Sequence, residues 1–143
     1  NDAPQAILRL INMGIPAYHI SSSIQLIIAQ RLLRLLCPHC KKPVEYPREI
    51  LDSIGFITPH AKHTFYEAVG CSECHLGYKG RTGIYQILPF SDKLNEIILR
   101  HANQQDIEQF CMENNIQTLR QSALNKMALG LTSLTEINRI TLE

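Results

Sequence analysis

Two Cys-x-x-Cys pairs, Cys37-Pro-His-Cys40 and Cys71-Ser-Glu-Cys74, stand thirty residues apart and constrain this chain more than any other feature. A two-residue gap lets both sulfurs of one turn point at the same ion, and two such knuckles close a tetrahedron of thiolates. Two disulfides, or a redox-active Cys-x-x-Cys, are the competing readings, and disulfides would leave one of the five cysteines over. His39, between Cys37 and Cys40, and His75, next to Cys74, are candidates to replace a cysteine as ligand. The reading taken forward assigns Cys37, Cys40, Cys71 and Cys74 to one Zn²⁺. Four thiolates leave no open position, so the ion is structural, and it pins a long excursion too poor in apolar residues to fold alone. Gly77 and Gly80 allow tight turns under the metal, and Lys41, Lys42, Lys79 and Arg81 can offset the cluster's negative charge. Cys111 is left over among Ile107, Phe110 and Met112, where a buried, inert thiol is expected.

The flanking sequence alternates helix and strand signals. Asp2-Ala-Pro-Gln5 reads as a helix start, with Asp2 as N-cap, Pro4 in the first turn and Gln5 completing a capping box. Ile7, Leu10 and Ile11 share a face, and Gly14 stops the helix. A short helical segment runs through Ser21-Ser-Ser23. Leu26 to Leu36 is an apolar run rich in branched residues; it reads as a strand buried on both faces, as in a parallel α/β sheet, with a helix as the alternative. Between the cysteine pairs, Pro47 to Ile54 suits one helix ending at Gly55, Thr58 to His63 a loop, and Phe65 to Val69 a short strand.

Gly80-Arg-Thr-Gly83 reads as a β-turn entering the strand Ile84 to Leu88, with an anion nest as the alternative; Pro89 closes the strand. The remainder is helical. Ser91 caps a helix over 92–101, Asn103 one reaching about Asn114, and Thr118-Leu-Arg-Gln121 one ending at Gly130. Ser133-Leu-Thr-Glu136 opens a last short helix. The expected division is 1–36 core helix and strand, 37–80 zinc-binding insert, 81–90 returning core strand, and 91–143 helical subdomain.

Other chemistry is sparse. No G-x-x-x-x-G-K-[ST] phosphate loop occurs, no paired carboxylates suit Mg²⁺, and no nucleophile–base arrangement stands out. His19, His60, His63 and His101 show no ligand spacing and read as solvated or core histidines. Arg31 and Arg34 interrupt the apolar run; each either reaches the sheet's rim, pairs inside, or faces a ligand crevice. With 14 basic and 13 acidic residues, the formal charge of +1 falls to about −1 once Zn²⁺ and four thiolates are counted. Neither value is the basic footprint of a nucleic-acid binder. No apolar stretch is long enough to span a membrane, and no export leader is visible in a sequence that opens at Asn1 without Met.

The order of motifs carries a resemblance. Asn1-Asp-Ala is followed by Ile28-Ala-Gln-Arg-Leu32, Leu36-Cys-Pro-x-Cys40, Gly70-Cys-x-x-Cys74, Gly77-Tyr-Lys-Gly-Arg-Thr-Gly-Ile-Tyr85 and Gly130-Leu-Thr-Ser-Leu-Thr-Glu-Ile137. Over essentially its whole length the chain resembles the C-terminal part of the type IV pilus assembly (extension) ATPases and the type II secretion ATPase E family. The resemblance implies an α/β fold: the C-terminal part of a RecA-like P-loop ATPase domain with a tetracysteine zinc-binding insert and a C-terminal helical subdomain. It implies a homohexameric motor in the cytoplasm, peripheral to the bacterial inner membrane. Its partners would be an inner-membrane platform protein and neighbouring ATPase subunits, with no nucleic acid and no direct membrane insertion. ATP and Mg²⁺ belong to the full-length parent, because the family's nucleotide motifs lie upstream of the matching stretch; this chain alone is expected to be inactive. The alternative from another class is a zinc-ribbon adaptor binding nucleic acid or a protein partner.

Overall fold

The computed structural model describes residues 2–56, 63–100 and 103–142. Seven helices and four strands are found among them, and the chain divides into two compact units: residues 1–30 with 85–118, and residues 31–84 with 119–143. Two long strands, β1 (Leu26–Leu36) and β4 (Tyr78–Pro89), form a two-stranded sheet, and each contributes part of its length to either unit. At one end the Phe90 N–H donates to the Gln25 carbonyl; at the other the Cys37 N–H donates to the Gly77 carbonyl. The two strands are therefore antiparallel.

In the first unit, α1 (Ala3–Asn12) starts as its sequence dictates. Asp2 Oδ1 accepts the Gln5 N–H at 2.9 Å, Pro4 occupies the first turn, and Gly14 follows the helix at φ +85°. The Ala3 N–H, one of the donors a helix start leaves unpaired, is taken at 2.9 Å by the buried Gln86 side chain of β4. Helices α2 (Ala17–Ser23), α4 (Asp92–Leu99) and α5 (Gln104–Glu113) complete the unit. Ser91 caps α4, and Asn103 with Asp106 forms a reciprocal capping box on α5. Ile7, Ile20, Leu88, Leu94, Ile98, Ile107 and Phe110 make the core, each burial contributing about 1.5–3 kcal/mol. Cys111 lies within it, as expected of an inert thiol.

β1 matches the expected bounds but not the expected burial. Along its first part exposure alternates, and Leu26, Ile28 and Leu32 are exposed; in the first unit Tyr85 and Ile87 of β4 are too. The strand is neither buried on both faces nor part of a parallel sheet. An apolar run records that both faces can be buried, yet burial of the second face needs another layer, which the described residues do not supply. The expected turn at Gly80-Arg-Thr-Gly83 is also corrected. β4 runs unbroken through it, with Gly80 at φ +82°, so the stretch is neither a turn nor an anion nest.

In the second unit, β2 (Lys42–Val44) pairs antiparallel with β3 (Phe65–Glu67), matching Lys42 to Glu67, Pro43 to Tyr66 and Val44 to Phe65. The short α3 (Arg48–Ser53) lies between them in sequence, and Gly55, the expected stop, follows its C-cap Ile54 at φ +80°. Phe65 meets the Phe56 ring edge-on at 5.4 Å, and Phe56 meets His63 at 5.6 Å, so His63 belongs to an aromatic group. Residues 58–62 of the expected loop, with His60, and also His101, lie outside the described residues. Helices α6 (Leu119–Ala128) and α7 (Leu134–Thr141) close the unit.

The segment Leu131 to Glu136 is stitched to β1. The Leu36 N–H donates to the Leu131 carbonyl at 2.9 Å, and the Thr132 hydroxyl to the Arg34 carbonyl at 3.0 Å. Ser133 Oγ accepts the Glu136 N–H, capping α7, and shares a 2.6 Å hydrogen bond with Tyr78 Oη. Thr132, Ser133 and Glu136 are all buried, and these bonds satisfy them.

Candidate metal centre

The first knuckle grows from the end of β1. Cys37 is fully buried; its N–H is held by the Gly77 carbonyl at 2.8 Å and its carbonyl accepts the Lys41 N–H at 3.0 Å, which closes a turn across Pro38, His39 and Cys40. The second knuckle ends in a tight hairpin. His75 and Tyr78 exchange two backbone hydrogen bonds, at 3.1 and 3.0 Å, around Leu76 and Gly77. Both central residues are left-handed, at φ +51° and +85°, as a type I′ turn requires. At Gly77 nothing but glycine fits. A Cβ there would lie 2.7 Å from Ala68 Cβ and 2.8 Å from Val69 N.

These turns bring all four sulfurs within 4.8 Å of one another. The separations are 3.9 Å for Cys37–Cys71, 3.7 Å for Cys40–Cys74 and 3.7 Å for Cys71–Cys74. A tetrahedron with metal–sulfur bonds near 2.3 Å has edges of about 3.8 Å. The sulfurs thus converge on a common centre at the spacing one ion would demand, and the four cysteines are positioned to bind a metal ion. It is the single such cluster among the described residues, and neither His39 nor His75 belongs to it.

Electrostatics within the cluster is set by the sulfurs themselves and nearby backbone. Burial pushes the Cys40 thiol up, against the Gly70 N–H that donates to its sulfur at 3.3 Å. A backbone hydrogen bond from Glu73 favours the Cys71 thiolate, but burial and the Cys74, Cys40 and Cys37 sulfurs outweigh it and push the thiol up to about 12. Burial also opposes the Cys74 thiolate; hydrogen bonding with the Cys71 backbone and sulfur, the Gly77 backbone and Cys40 prevails and lowers it to about 7. The expected cationic surroundings are only partly realised. Lys41 Nζ turns away to the Gly130 carbonyl at 2.8 Å and lies over the Tyr66 ring at 4.2 Å.

Arg31 and Arg34 resolve into pairing inside. Arg31 Nη1 donates to the Ile140 carbonyl. Arg34 stacks 4.1 Å over the Tyr78 ring and donates to Glu136 three times: from its backbone N–H at 2.9 Å, Nε at 2.9 Å and Nη2 at 2.6 Å. Arg139 adds Nε at 2.8 Å and Nη2 at 2.7 Å to the same fully buried carboxylate. Burial opposes that charge, but Arg139 and Arg34 win and hold the Glu136 carboxyl down at about 2. Sequence reading saw Glu136 only as a capping residue. The missed signal was Arg34 itself, since a cation in a strand interior calls for an acid.

A family model described as type II/IV secretion system protein matches residues 1–139. The type IV pilus assembly ATPase PilB of Pseudomonas aeruginosa is 46% identical over 144 residues, covering 99% of this chain and 25% of that protein. PilB of Acinetobacter baylyi is 40% identical over 147 residues, covering 100% and 25%. The type II secretion system ATPase E of Vibrio cholerae is 40% identical over 147 residues, covering 100% and 28%. The chain thus spans about a quarter of the length of the curated relatives it matches.

Proposed function

This chain belongs to the type II/IV secretion system protein family, and we propose that it serves as the zinc-pinned C-terminal part of a motor ATPase of pilus assembly or type II secretion. Its role in this stretch is structural and interactive. The observation that carries the metal reading is the convergence of Cys37, Cys40, Cys71 and Cys74 on one point. Four soft thiolate donors at tetrahedral spacing favour zinc over harder cations, and their number leaves no site for a substrate. Zinc bound there fixes both knuckles, and with them the 37–80 insert.

The chain contains no phosphate loop, so ATP and Mg²⁺ are assigned to the rest of the parent protein. In that reading residues 1–36 and 81–90 are the last pieces of a RecA-like core, and 91–143 are the helical subdomain. The parent is a cytoplasmic homohexamer that turns an inner-membrane platform protein. The support is the identity to PilB and type II secretion ATPases over the full chain. Among the described residues no helix is long and apolar enough to cross a membrane, which fits attachment through partners.

The test is metal analysis of the 143-residue chain purified under reducing conditions. One zinc per chain is expected, lost in Cys40→Ser, with cobalt substitution giving thiolate-to-metal absorption bands. A chain that takes up neither zinc nor cobalt would remove the metal reading.

A further inference from the structure

The four cysteines of the metal cluster are unequally placed for chemistry. Cys37 is fully buried, and its backbone is held twice, its N–H by the Gly77 carbonyl and its carbonyl by the Lys41 N–H. Cys40 is half-buried, and its sulfur accepts the Gly70 N–H at 3.3 Å, which occupies a lone pair. Cys71 is exposed. Its sulfur lies 3.7 Å from that of Cys74, half-buried on the same turn, and 3.9 Å from that of Cys37. The first knuckle follows directly on β1, whose Leu36 N–H is fixed to the Leu131 carbonyl; the Cys71–Cys74 turn has no hydrogen bond to the helices among those described. An exposed sulfur with a second beside it is the arrangement that peroxide chemistry selects, because the oxidant reaches the first and the second resolves it.

We propose that Cys71 is a site of oxidative modification by hydroperoxides, closing to a Cys71–Cys74 disulfide with release of the metal ion. The Cys71 sulfur attacks one oxygen of hydrogen peroxide; an S–O bond forms, the O–O bond breaks, and the other oxygen takes a proton from solvent and leaves as water. The Cys74 sulfur then attacks the Cys71 sulfur; the S–S bond forms, the S–O bond breaks, and the hydroxyl leaves with a second proton as a second water. Two thiolates, one peroxide and two protons become one disulfide and two waters, and the two electrons lost by the sulfurs are those that reduce the peroxide. Cys74 resolves in preference to Cys37 because it is nearer and closure rearranges one turn alone. Joining Cys37 means moving a buried residue whose N–H and carbonyl are both held. Once Cys71 and Cys74 are joined, Cys37 and Cys40 remain as two ligands where a closed structural site uses four. The far side of the insert is then released, while its base stays tied through Lys41 to the Gly130 carbonyl. The release of the ion rests on the zinc reading of the cluster; the choice of which sulfurs join does not.

The experiment adds hydrogen peroxide to the zinc-loaded 143-residue chain and follows zinc release with a chromogenic chelator. Remaining thiols are alkylated under denaturing conditions and the disulfides mapped by mass spectrometry. Zinc release in step with a Cys71–Cys74 linkage is expected, with Cys37, Cys40 and Cys111 alkylated and the helical circular dichroism retained. A thiol reductant with added zinc is expected to return the metal. Cys111→Ala, which removes the buried cysteine outside the cluster, is expected to release zinc at the same rate. A first linkage through Cys37 or Cys40, oxidation of Cys111 ahead of the cluster, or zinc retained at a peroxide concentration that fully oxidises free cysteine would overturn the proposal. A chain that carries no zinc before peroxide is added refutes the metal reading alone, and the mapping of its first disulfide still decides whether Cys71 joins Cys74.

Discussion

Replacing Glu136 by Gln removes one buried negative charge and nothing of its shape. The wild-type carboxylate is fully buried and accepts five N–H groups, three from Arg34 and two from Arg139. Its carboxyl titrates at about 2 in the fold against an ordinary 4.5. A displacement of that size corresponds to about 3 kcal/mol of stability. The arginine side chains are 32% and 52% exposed, so solvent screens part of the attraction, and about 2 kcal/mol is the expected loss at pH 7. Because the folded-state value is depressed, the contribution is complete above the unfolded value near 4.5. It is lost progressively as pH falls from 4.5 through about 2 and is absent only below that, where the carboxyl is protonated folded and unfolded alike. Urea unfolding of both proteins at pH 7 and near pH 2.5 measures this, with amide hydrogen exchange at Arg34 as a local readout. The gap between them is expected to narrow on acidification. A gap under about 0.5 kcal/mol at pH 7, or one of equal size at both pH values, would refute the reasoning.

Cys40→Ser should lower zinc content and destabilise the 37–80 insert by several kcal/mol, read by metal analysis and by proteolysis of the insert; unchanged metal and protease resistance would show the ligand set to be wrong. Gly77→Ala forces a Cβ to within 2.8 Å of the Val69 backbone at φ +85°, and should cost about 2 kcal/mol or more in urea unfolding; a neutral result would mean the turn relaxes. Tyr78→Phe deletes one partner of the buried 2.6 Å bond to Ser133 and should cost about 1 kcal/mol, seen as a lowered urea midpoint with unchanged slope. Filter binding with single-stranded DNA at moderate salt should show no tight, salt-sensitive retention; strong retention would revive a nucleic-acid adaptor role.

Local signals specified local structure well. Asp2, Ser91, Asn103 and Ser133 cap the helices they were expected to cap, because a side-chain oxygen and an N–H three residues on are neighbours in every helix start. The cysteine cluster was legible for the same reason: each pair is local, and only the meeting of the two pairs is long-range. What failed depended on partners distant in sequence. Leu26 to Leu32 looked buried on both faces because composition records what a face tolerates, not what covers it. Gly80 to Gly83 looked like a turn because glycine spacing says nothing of a neighbouring strand that holds the backbone extended. Glu136 had two roles available, and its capping position concealed the arginine a hundred residues upstream that claims its side chain.

The end of β1 explains why the metal lobe and the α7 start are parts of one construction. Within four residues Arg34 reaches Glu136, Leu36 reaches Leu131, and Cys37 reaches Gly77. Lys41, just past the first knuckle, returns to Gly130, against which Tyr66 of β3 packs, leaving 3.0 Å for any Cβ there. The base of the insert is therefore tied to the helices by hydrogen bonds that do not involve sulfur. Its far side, Cys71 to Cys74, has no such tie to the helices among the hydrogen bonds described. A metal ion bridging the two pairs binds that side to a base already fixed, so its loss should loosen the second knuckle first and leave the Arg34–Glu136 contact standing.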